Sequence, residues 1–178
     1  MSKNINNSLG SRLKNARSQQ GWSLDQASKE TGVSKAMLGQ IERGESSPTI
    51  VRLWSIANGF KRPLSYFLTD LETTTTPPVL VNNEQDIQVV TLFPYDKNTG
   101  LETFQITFEP GREYLSDPHN EGVVEHIIVV DGCMEYYLDG EWHSLKQGQV
   151  VKFPADQVHG YRNLSDDLAM IHNIISYR

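Results

Sequence analysis

The stretch GWSLDQASKETGVSKAMLGQIERGESSP, residues 21–48, decides the fold of the first part of this 178-residue chain. Ser23 can cap a helix, because its hydroxyl accepts from free backbone N–H groups in the first turn. Gly32 then permits a tight turn, and Ser34 is a second cap, followed by an apolar run that ends at Gly44. The stretch therefore predicts two short helices joined by a turn.

Helical patterns lie on both sides of this stretch. Apolar residues recur at helical spacing over residues 9–16 and 50–57, and more briefly over 63–68. Five short helices within residues 1–68 indicate a compact all-helical domain.

The pattern changes after residue 68. Residues 69–85 contain four consecutive threonines and two prolines and are predicted to form an extended linker. Residues 86–178 contain short β-prone runs separated by Gly, Pro, Asp and Asn, among them Asp139-Gly140, a strong hairpin signal. This part is predicted to form a sandwich or barrel, so the fold class is a multidomain α and β protein.

The two parts carry opposite charge. Residues 1–68 hold ten Lys/Arg and four Asp/Glu, whereas residues 69–178 hold six and eighteen, within a net charge of −6. A basic domain suits a polyanion such as DNA. The sequence has no apolar run long enough to span a membrane and no signal-peptide core at its start, so we expect a cytoplasmic protein without a membrane partner. The single cysteine, Cys133, excludes an intrachain disulfide and is predicted to be buried.

The helix-turn-helix pattern predicts contacts to DNA. In this motif the second helix lies in the major groove, where side chains read base edges and phosphates. The residues predicted to face DNA, including both caps, are Ser23, Ser34, Lys35, Ala36, Met37, Gln40 and Arg43. A helical bundle with solvated charges is the alternative interpretation.

Residues 8–68 resemble the lambda-repressor/Xre-type helix-turn-helix domain. The residues that carry this resemblance are Leu9, Arg12, Leu13, Arg17, Gly21, Ser23, Gly32, Val33, Ser34, Leu38, Ile41, Glu42, Arg43, Gly44, Pro48 and Ala57. The resemblance implies a five-helix DNA-binding domain whose third helix reads bases through Lys35, Ala36 and Gln40.

A second constellation lies in the β region. His119, Glu125 and His159 offer two imidazoles and a carboxylate, a set that suits a divalent metal such as zinc, iron or manganese. His126 follows Glu125 directly, so strand alternation should point it away from the cavity unless a bulge reverses the assignment.

The segments around these residues resemble the two motifs of the cupin superfamily, a double-stranded β-helix or jelly-roll barrel. The resemblance covers residues 86–178 and implies that His119, Glu125 and His159 are metal ligands, with zinc the first choice. Glu121 stands where the family has its second histidine. An organic ligand held by polar residues is the alternative, and the predicted ligand-binding residues are Glu121, Tyr136, Tyr161 and His172.

Together the two resemblances indicate a ligand-responsive transcriptional regulator, closest to sulfur-utilisation regulators, rather than an enzyme. They imply a double-stranded operator, a homodimer and a small-molecule effector such as methionine or a related amino acid. A metal-dependent cupin enzyme with a fused DNA-binding domain and an antitoxin-like protein are the alternatives.

Overall fold

The computed structural model describes residues 2–68, 79–81 and 87–177. The chain divides into two compact units, residues 1–78 and 79–178. Among the described residues, no helix combines the length and apolar character needed to cross a membrane.

The first unit is helical, and its described part contains the five predicted helices. Their bounds are α1 (Ser2–Gln19), α2 (Leu24–Thr31), α3 (Lys35–Glu42), α4 (Ile50–Gly59) and α5 (Ser65–Leu68). One apolar core joins them, and its fully buried members include Leu13, Leu38, Ile41, Leu53, Ile56, Leu64 and Phe67.

The turn between α2 and α3 has the predicted chemistry. Ser23 caps α2 by accepting a hydrogen bond from the Gln26 backbone N–H, and Ser34 caps α3 in the same way from Met37 N–H. Gly32 ends α2 with a φ of 68°, a left-handed conformation that a side chain would strain. These three residues set the angle at which α3 leaves α2.

One ion pair fixes the end of α3 within the helical unit. Arg17 on α1 donates from Nε and Nη2 to the Glu42 carboxylate at 2.6 and 2.8 Å, and from Nη1 to the Trp22 carbonyl at 2.9 Å. The side chains of Arg17 and Glu42 are 17% and 8% exposed, so water screens this pair only in part. The pair thus ties α1, the entry to α2 and the end of α3 together.

The second unit is built from strands. Their bounds are β1 (Val79–Val81), β2 (Ile87–Asp96), β3 (Leu101–Phe108), β4 (Arg112–Ser116), β5 (Val124–Asp131), β6 (Cys133–Leu138), β7 (Glu141–Lys146), β8 (Val150–Pro154), β9 (His159–Asn163) and β10 (Ala169–Ser176). A six-stranded sheet has the order β1-β2-β3-β10-β5-β8, and a four-stranded sheet has the order β4-β9-β6-β7.

The inner faces of the two sheets meet. Tyr161 on β9 lies 6.1 Å from Phe108 on β3, and Tyr136 on β6 stacks on Phe153 on β8 at 5.9 Å between ring centroids. The predicted hairpin joins β6 and β7 through a two-residue turn at Asp139-Gly140, where both φ angles are positive. The sandwich prediction is therefore confirmed, with short strands such as β4, β7 and β9 that the sequence patterns did not reveal.

The structure departs from two predictions, the linker at residues 69–85 and the burial of Cys133. Of the predicted linker, residues 69–78 and 82–85 lie outside the described residues, while Val79–Val81 pairs with β2 as strand β1. Cys133 was predicted to be buried, and this prediction is wrong. It is exposed because it opens β6 directly after the turn at Gly132, at the edge of the core.

The Arg17–Glu42 ion pair predicts a specific loss of stability. Replacing Glu42→Gln leaves the guanidinium without its charge partner, which should lower the free energy of unfolding of the helical unit by about 2 kcal/mol. This free energy is measured by urea unfolding, with the helical circular dichroism signal as the probe. The matched control is Glu45→Gln, whose ion pair with Arg43 is exposed and should not affect the curve. Equal curves for both variants would contradict the assigned role of Arg17.

Candidate functional site

The outward face of α3 carries most of the predicted DNA-contacting residues. Lys35, Ala36, Gln40 and Arg43 are exposed, whereas Met37 is half-buried. Leu38 and Ile41 on the opposite face are completely buried. Packing thus leaves small and polar side chains available on the outer face of this helix.

Both cations on this face are paired with carboxylates. Lys35 Nζ lies 2.8 Å from Asp25 Oδ2, and the two side chains are 59% and 66% exposed. Arg43 donates twice to Glu45, at 2.8 and 2.7 Å, which raises the pKa of Arg43 and lowers the pKa of Glu45. Such exposed pairs contribute little in water, so a phosphate or base edge can replace the carboxylate. The cap residues Ser23 and Ser34 are exposed at the starts of α2 and α3.

Three predicted metal ligands converge inside the barrel. His119 comes from the loop before β5, Glu125 from β5 and His159 from the start of β9. Glu125 Oε1 lies 2.9 Å from His119 Nε2 and 3.4 Å from His159 Nε2, and all the ligand atoms lie within 4.8 Å of one another. All three side chains are buried, at 3% exposure or less. We call this set the Glu125 cluster.

Strand alternation explains why these side chains point inward. On β5, Glu125 shares the buried face with Ile127 and Val129. On β9, His159 and Tyr161 are both buried, and Gly160 between them lies against the Tyr114 backbone on β4, where a side chain would clash. This close approach holds β9 over the cluster.

The second oxygen of Glu125 has its own partners. Tyr161 donates its phenolic O–H to Glu125 Oε2, and Asn173 Nδ2 donates to the same oxygen at 3.0 Å. Burial works to raise the pKa of Glu125, but the hydrogen bonds and charges of His119 and His159 outweigh it and hold that pKa well below its usual range. Burial and the Glu125 charge raise the pKa of Tyr161, so its phenol stays protonated as a donor.

The hydrogen bonding of His159 tests whether a metal fits. Its Nδ1 lies 2.8 Å from the Gln157 carbonyl and therefore donates there, which leaves the lone pair of a neutral ring on Nε2. That lone pair faces Glu125 Oε1, a repulsive arrangement unless a proton or a cation lies between them. Burial works to lower the pKa of His159, but its hydrogen bond to Glu125 and the carboxylate charge raise it.

The spacing of the donor atoms also fits a metal. Two ligands at zinc distances and a tetrahedral angle lie about 3.3 Å apart, close to the 3.4 Å between His159 Nε2 and Glu125 Oε1. The 2.9 Å between His119 Nε2 and Glu125 Oε1 is the length of a direct hydrogen bond, which a bound cation would replace. The residues therefore fit a divalent cation held by His119 Nε2, Glu125 Oε1 and His159 Nε2.

Of the four residues predicted to bind a ligand, one contacts the cluster. Tyr161 does so through Glu125, whereas Tyr136 is half-buried and stacks on Phe153 and on the exposed His143. Glu121 is exposed in the loop before β5 and is not among the three residues whose ligand atoms converge, so its contact with a ligand stays a prediction.

The prediction that His172 lines the pocket is wrong. It is in register with Ile128 and Gln105 on the outer face of the six-stranded sheet, because buried residues alternate with half-buried ones along β10. Its neighbour Asn173 faces inward instead and contacts Glu125. His126 is also half-buried and approaches the Ile174 carbonyl, so it points away from the cluster as expected.

Asn173 is the residue that sequence reasoning missed. It lies on the same face of β10 as Ala169, Ile171 and Ile175, all buried. A single polar residue on the inward side of an otherwise apolar strand is the signal that could have identified it.

Comparisons with known proteins agree with both units. Residues 13–67 match the helix-turn-helix family, and residues 104–175 match the cupin domain family. The chain is 44% identical over 174 residues to the HTH-type transcriptional regulator SutR of Escherichia coli K12, covering 98% of this chain and 97% of SutR.

Solved structures support the same conclusion. A crystal structure of an HTH_3 family transcriptional regulator from Vibrio cholerae superimposes with a TM-score of 0.91 at 41% identity, covering 100% of this chain and 99% of that one. The cupin domain of an XRE family transcriptional regulator from Enterobacter cloacae is 39% identical, with a TM-score of 0.52, and covers 53% of this chain and 99% of its own. These relatives are transcriptional regulators, which supports regulation over catalysis.

Proposed function

This chain belongs to the family of HTH-type transcriptional regulators that combine a helix-turn-helix domain with a cupin domain, and from this premise we propose that its barrel senses a small molecule that controls DNA binding. The observation that carries the sensing proposal is the buried Glu125 cluster. Buried titratable side chains whose ligand atoms converge are typical of binding sites, which supports a ligand in the second unit.

The DNA-binding part of the proposal assigns base reading to α3. Lys35 and Gln40 are exposed on its outward face and can bond base edges, while Ala36 offers a methyl group to thymine. Ser23, Ser34 and Arg43 would contact phosphates and set the position of the helix, with Met37 packing beside them. The excess of basic residues in residues 1–68 supports this assignment. As a transcriptional regulator, the protein would act on DNA in the cytoplasm.

For sensing, we propose that a divalent cation binds to His119, Glu125 and His159, and zinc is the preferred ion. Three protein ligands leave a coordination position open, and a bound cation would offer that position to a carboxylate, amine or sulfur atom of the effector. The resemblance to sulfur-utilisation regulators favours methionine or a related sulfur amino acid as the effector, and sulfur-pathway genes as the targets.

A homodimer completes the proposal. A dimer carrying two helix-turn-helix domains reads two half-sites about 34 Å apart on DNA. The outer face of the six-stranded sheet supports self-association, because Ile128 and Val150 are cross-strand partners there and are 36% and 66% exposed.

Substitutions on α3 should relax DNA specificity. Lys35→Ala or Gln40→Ala removes a base contact worth about 1–3 kcal/mol, so affinity for a selected duplex should fall toward the affinity for random DNA. Fluorescence anisotropy with duplexes enriched from a random pool by the wild-type protein measures both affinities. Lys14→Ala, which removes an exposed charge on α1, is the control and should leave the ratio unchanged. An unchanged ratio in both α3 variants would remove α3 as the reading helix.

Substitutions in the Glu125 cluster should abolish metal binding. His159→Ala or Glu125→Gln removes a ligand atom, so the zinc content of protein loaded with Zn²⁺ and then desalted should fall from one ion per chain toward none. Elemental analysis of the folded variants provides the measurement. His143→Ala, an exposed histidine outside the cluster, serves as the control. A full zinc content in both cluster variants would show that the ion binds elsewhere.

A charge on the outer sheet face should dissociate the dimer. Val150→Glu would place a carboxylate in the proposed apolar interface, which is unfavourable without a partner. Light scattering coupled to size-exclusion chromatography should report a dimer for wild type and a monomer for this variant. Val158→Glu, at an exposed position in the loop before β9, is the control. A wild-type monomer at micromolar concentration would contradict the dimer.

A further inference from the structure

The two oxygens of Glu125 have separate roles in the barrel. Oε1 faces the two histidine Nε2 atoms, at 2.9 and 3.4 Å. Oε2 faces away from them and accepts from Tyr161 and Asn173. A carboxylate oxygen has two lone-pair directions, so these two donors occupy both sites on Oε2.

The two donors come from opposite sheets. Tyr161 lies on β9 of the four-stranded sheet, and Asn173 lies on β10 of the six-stranded sheet, next to Glu125 on β5. They are 2% and 1% exposed, so water does not compete with them for the carboxylate. Because both donors belong to regular strands, Glu125 cannot rotate about its last bond without breaking both hydrogen bonds.

The orientation of Asn173 is fixed by the same contact. A carboxylate only accepts, so the amide must turn its nitrogen toward Glu125 and its oxygen away. That oxygen, Oδ1, is buried and has no hydrogen-bond partner in the described part of the chain. An apolar side chain would avoid this unmet hydrogen bond, but it would also remove one of the two donors on Glu125 Oε2, so the asparagine serves the carboxylate at the expense of its own amide oxygen.

We propose that Tyr161 and Asn173 are positioning residues that hold Glu125 as a one-oxygen ligand, through Oε1, for a divalent cation bound with His119 and His159. This inference rests on the metal site proposed above. A carboxylate with a free Oε2 can swing to bind the cation through both oxygens and fill one more coordination position. Occupying Oε2 keeps that position open for the effector.

The test uses the full-length protein with Zn²⁺ and Co²⁺ alone as probes. The variants are Tyr161→Phe and Asn173→Leu, singly and together, each of which removes a donor to Oε2 at nearly constant volume. The matched control is Tyr114→Phe, because Tyr114 is the half-buried cross-strand neighbour of Tyr161 and its hydroxyl is hydrogen-bonded with Ser116. Competition with a chromogenic chelator gives zinc affinity, the visible spectrum of bound Co²⁺ reports coordination number, and the melting curve of the metal-free protein reports folding.

We expect each single variant to bind Zn²⁺ about 10–100-fold more weakly than wild type, as is typical when a partner of a ligating group is lost. Co²⁺ absorption should weaken, because a two-oxygen carboxylate raises the coordination number. Tyr114→Phe should match wild type in both measurements, and the metal-free single variants should still melt cooperatively, at a lower temperature than wild type because buried Glu125 has lost a donor.

Three results would overturn the inference, and they are distinguishable. Wild-type affinity and an unchanged Co²⁺ spectrum in Tyr161→Phe and Asn173→Leu would remove the positioning role while leaving the metal site intact. An equal loss in Tyr114→Phe would trace the effect to general loosening of the barrel. A wild-type protein that binds neither ion would remove the proposed metal site, and this inference with it.

Discussion

The burial of one carboxylate, Glu125, organises the second unit. A charge taken out of water is strongly unfavourable unless hydrogen bonds and opposite charges surround it. The barrel meets this requirement with a loop histidine, His119, a strand histidine, His159, and the two donors on Oε2. These groups come from both sheets and from the loop before β5, so satisfying Glu125 also fixes how the inner faces meet. The same convergence creates a set of ligand atoms, which links the stability of the barrel to its proposed sensing role.

In the helical unit, a largely buried ion pair between Arg17 and Glu42 has a comparable structural role. Arg17 binds Glu42 at the end of α3, and the opposite surface of that helix remains open to solvent. The cations on this open surface are held only by exposed carboxylates, which DNA can displace at little cost. The two units also differ in charge: the acidic excess lies in residues 69–178, and acidic side chains are repelled by phosphates. The distribution of charge thus favours polyanion binding by the helical unit.

Turns and helix ends could be predicted from the sequence, whereas contacts between strands far apart in the chain could not. Gly32 and the turn at residues 139–140 predicted their structures because backbone conformation there depends on the residues themselves. Glu125 was found through the spacing of a family motif. Asn173 was missed and His172 was assigned to the wrong face, because a one-residue change in the register of a strand exchanges its faces. The pairing of β10 with β5 decides which of these two neighbours points inward. The local sign of that orientation is the apolar alternation of Ala169, Ile171 and Ile175 around Asn173.

The most direct test is whether binding of Zn²⁺ and an amino acid to the barrel changes the affinity of the protein for DNA. Fluorescence anisotropy would compare the affinity of full-length protein for a selected duplex in three states: metal-free, loaded with Zn²⁺, and loaded with Zn²⁺ plus L-methionine or L-cysteine. The account predicts a difference between loading states of about 5- to 150-fold, the usual range of allosteric coupling, and its loss in Glu125→Gln. Equal affinity in every state, with Glu125→Gln indistinguishable from wild type, would contradict the proposal that the barrel controls the helix-turn-helix domain.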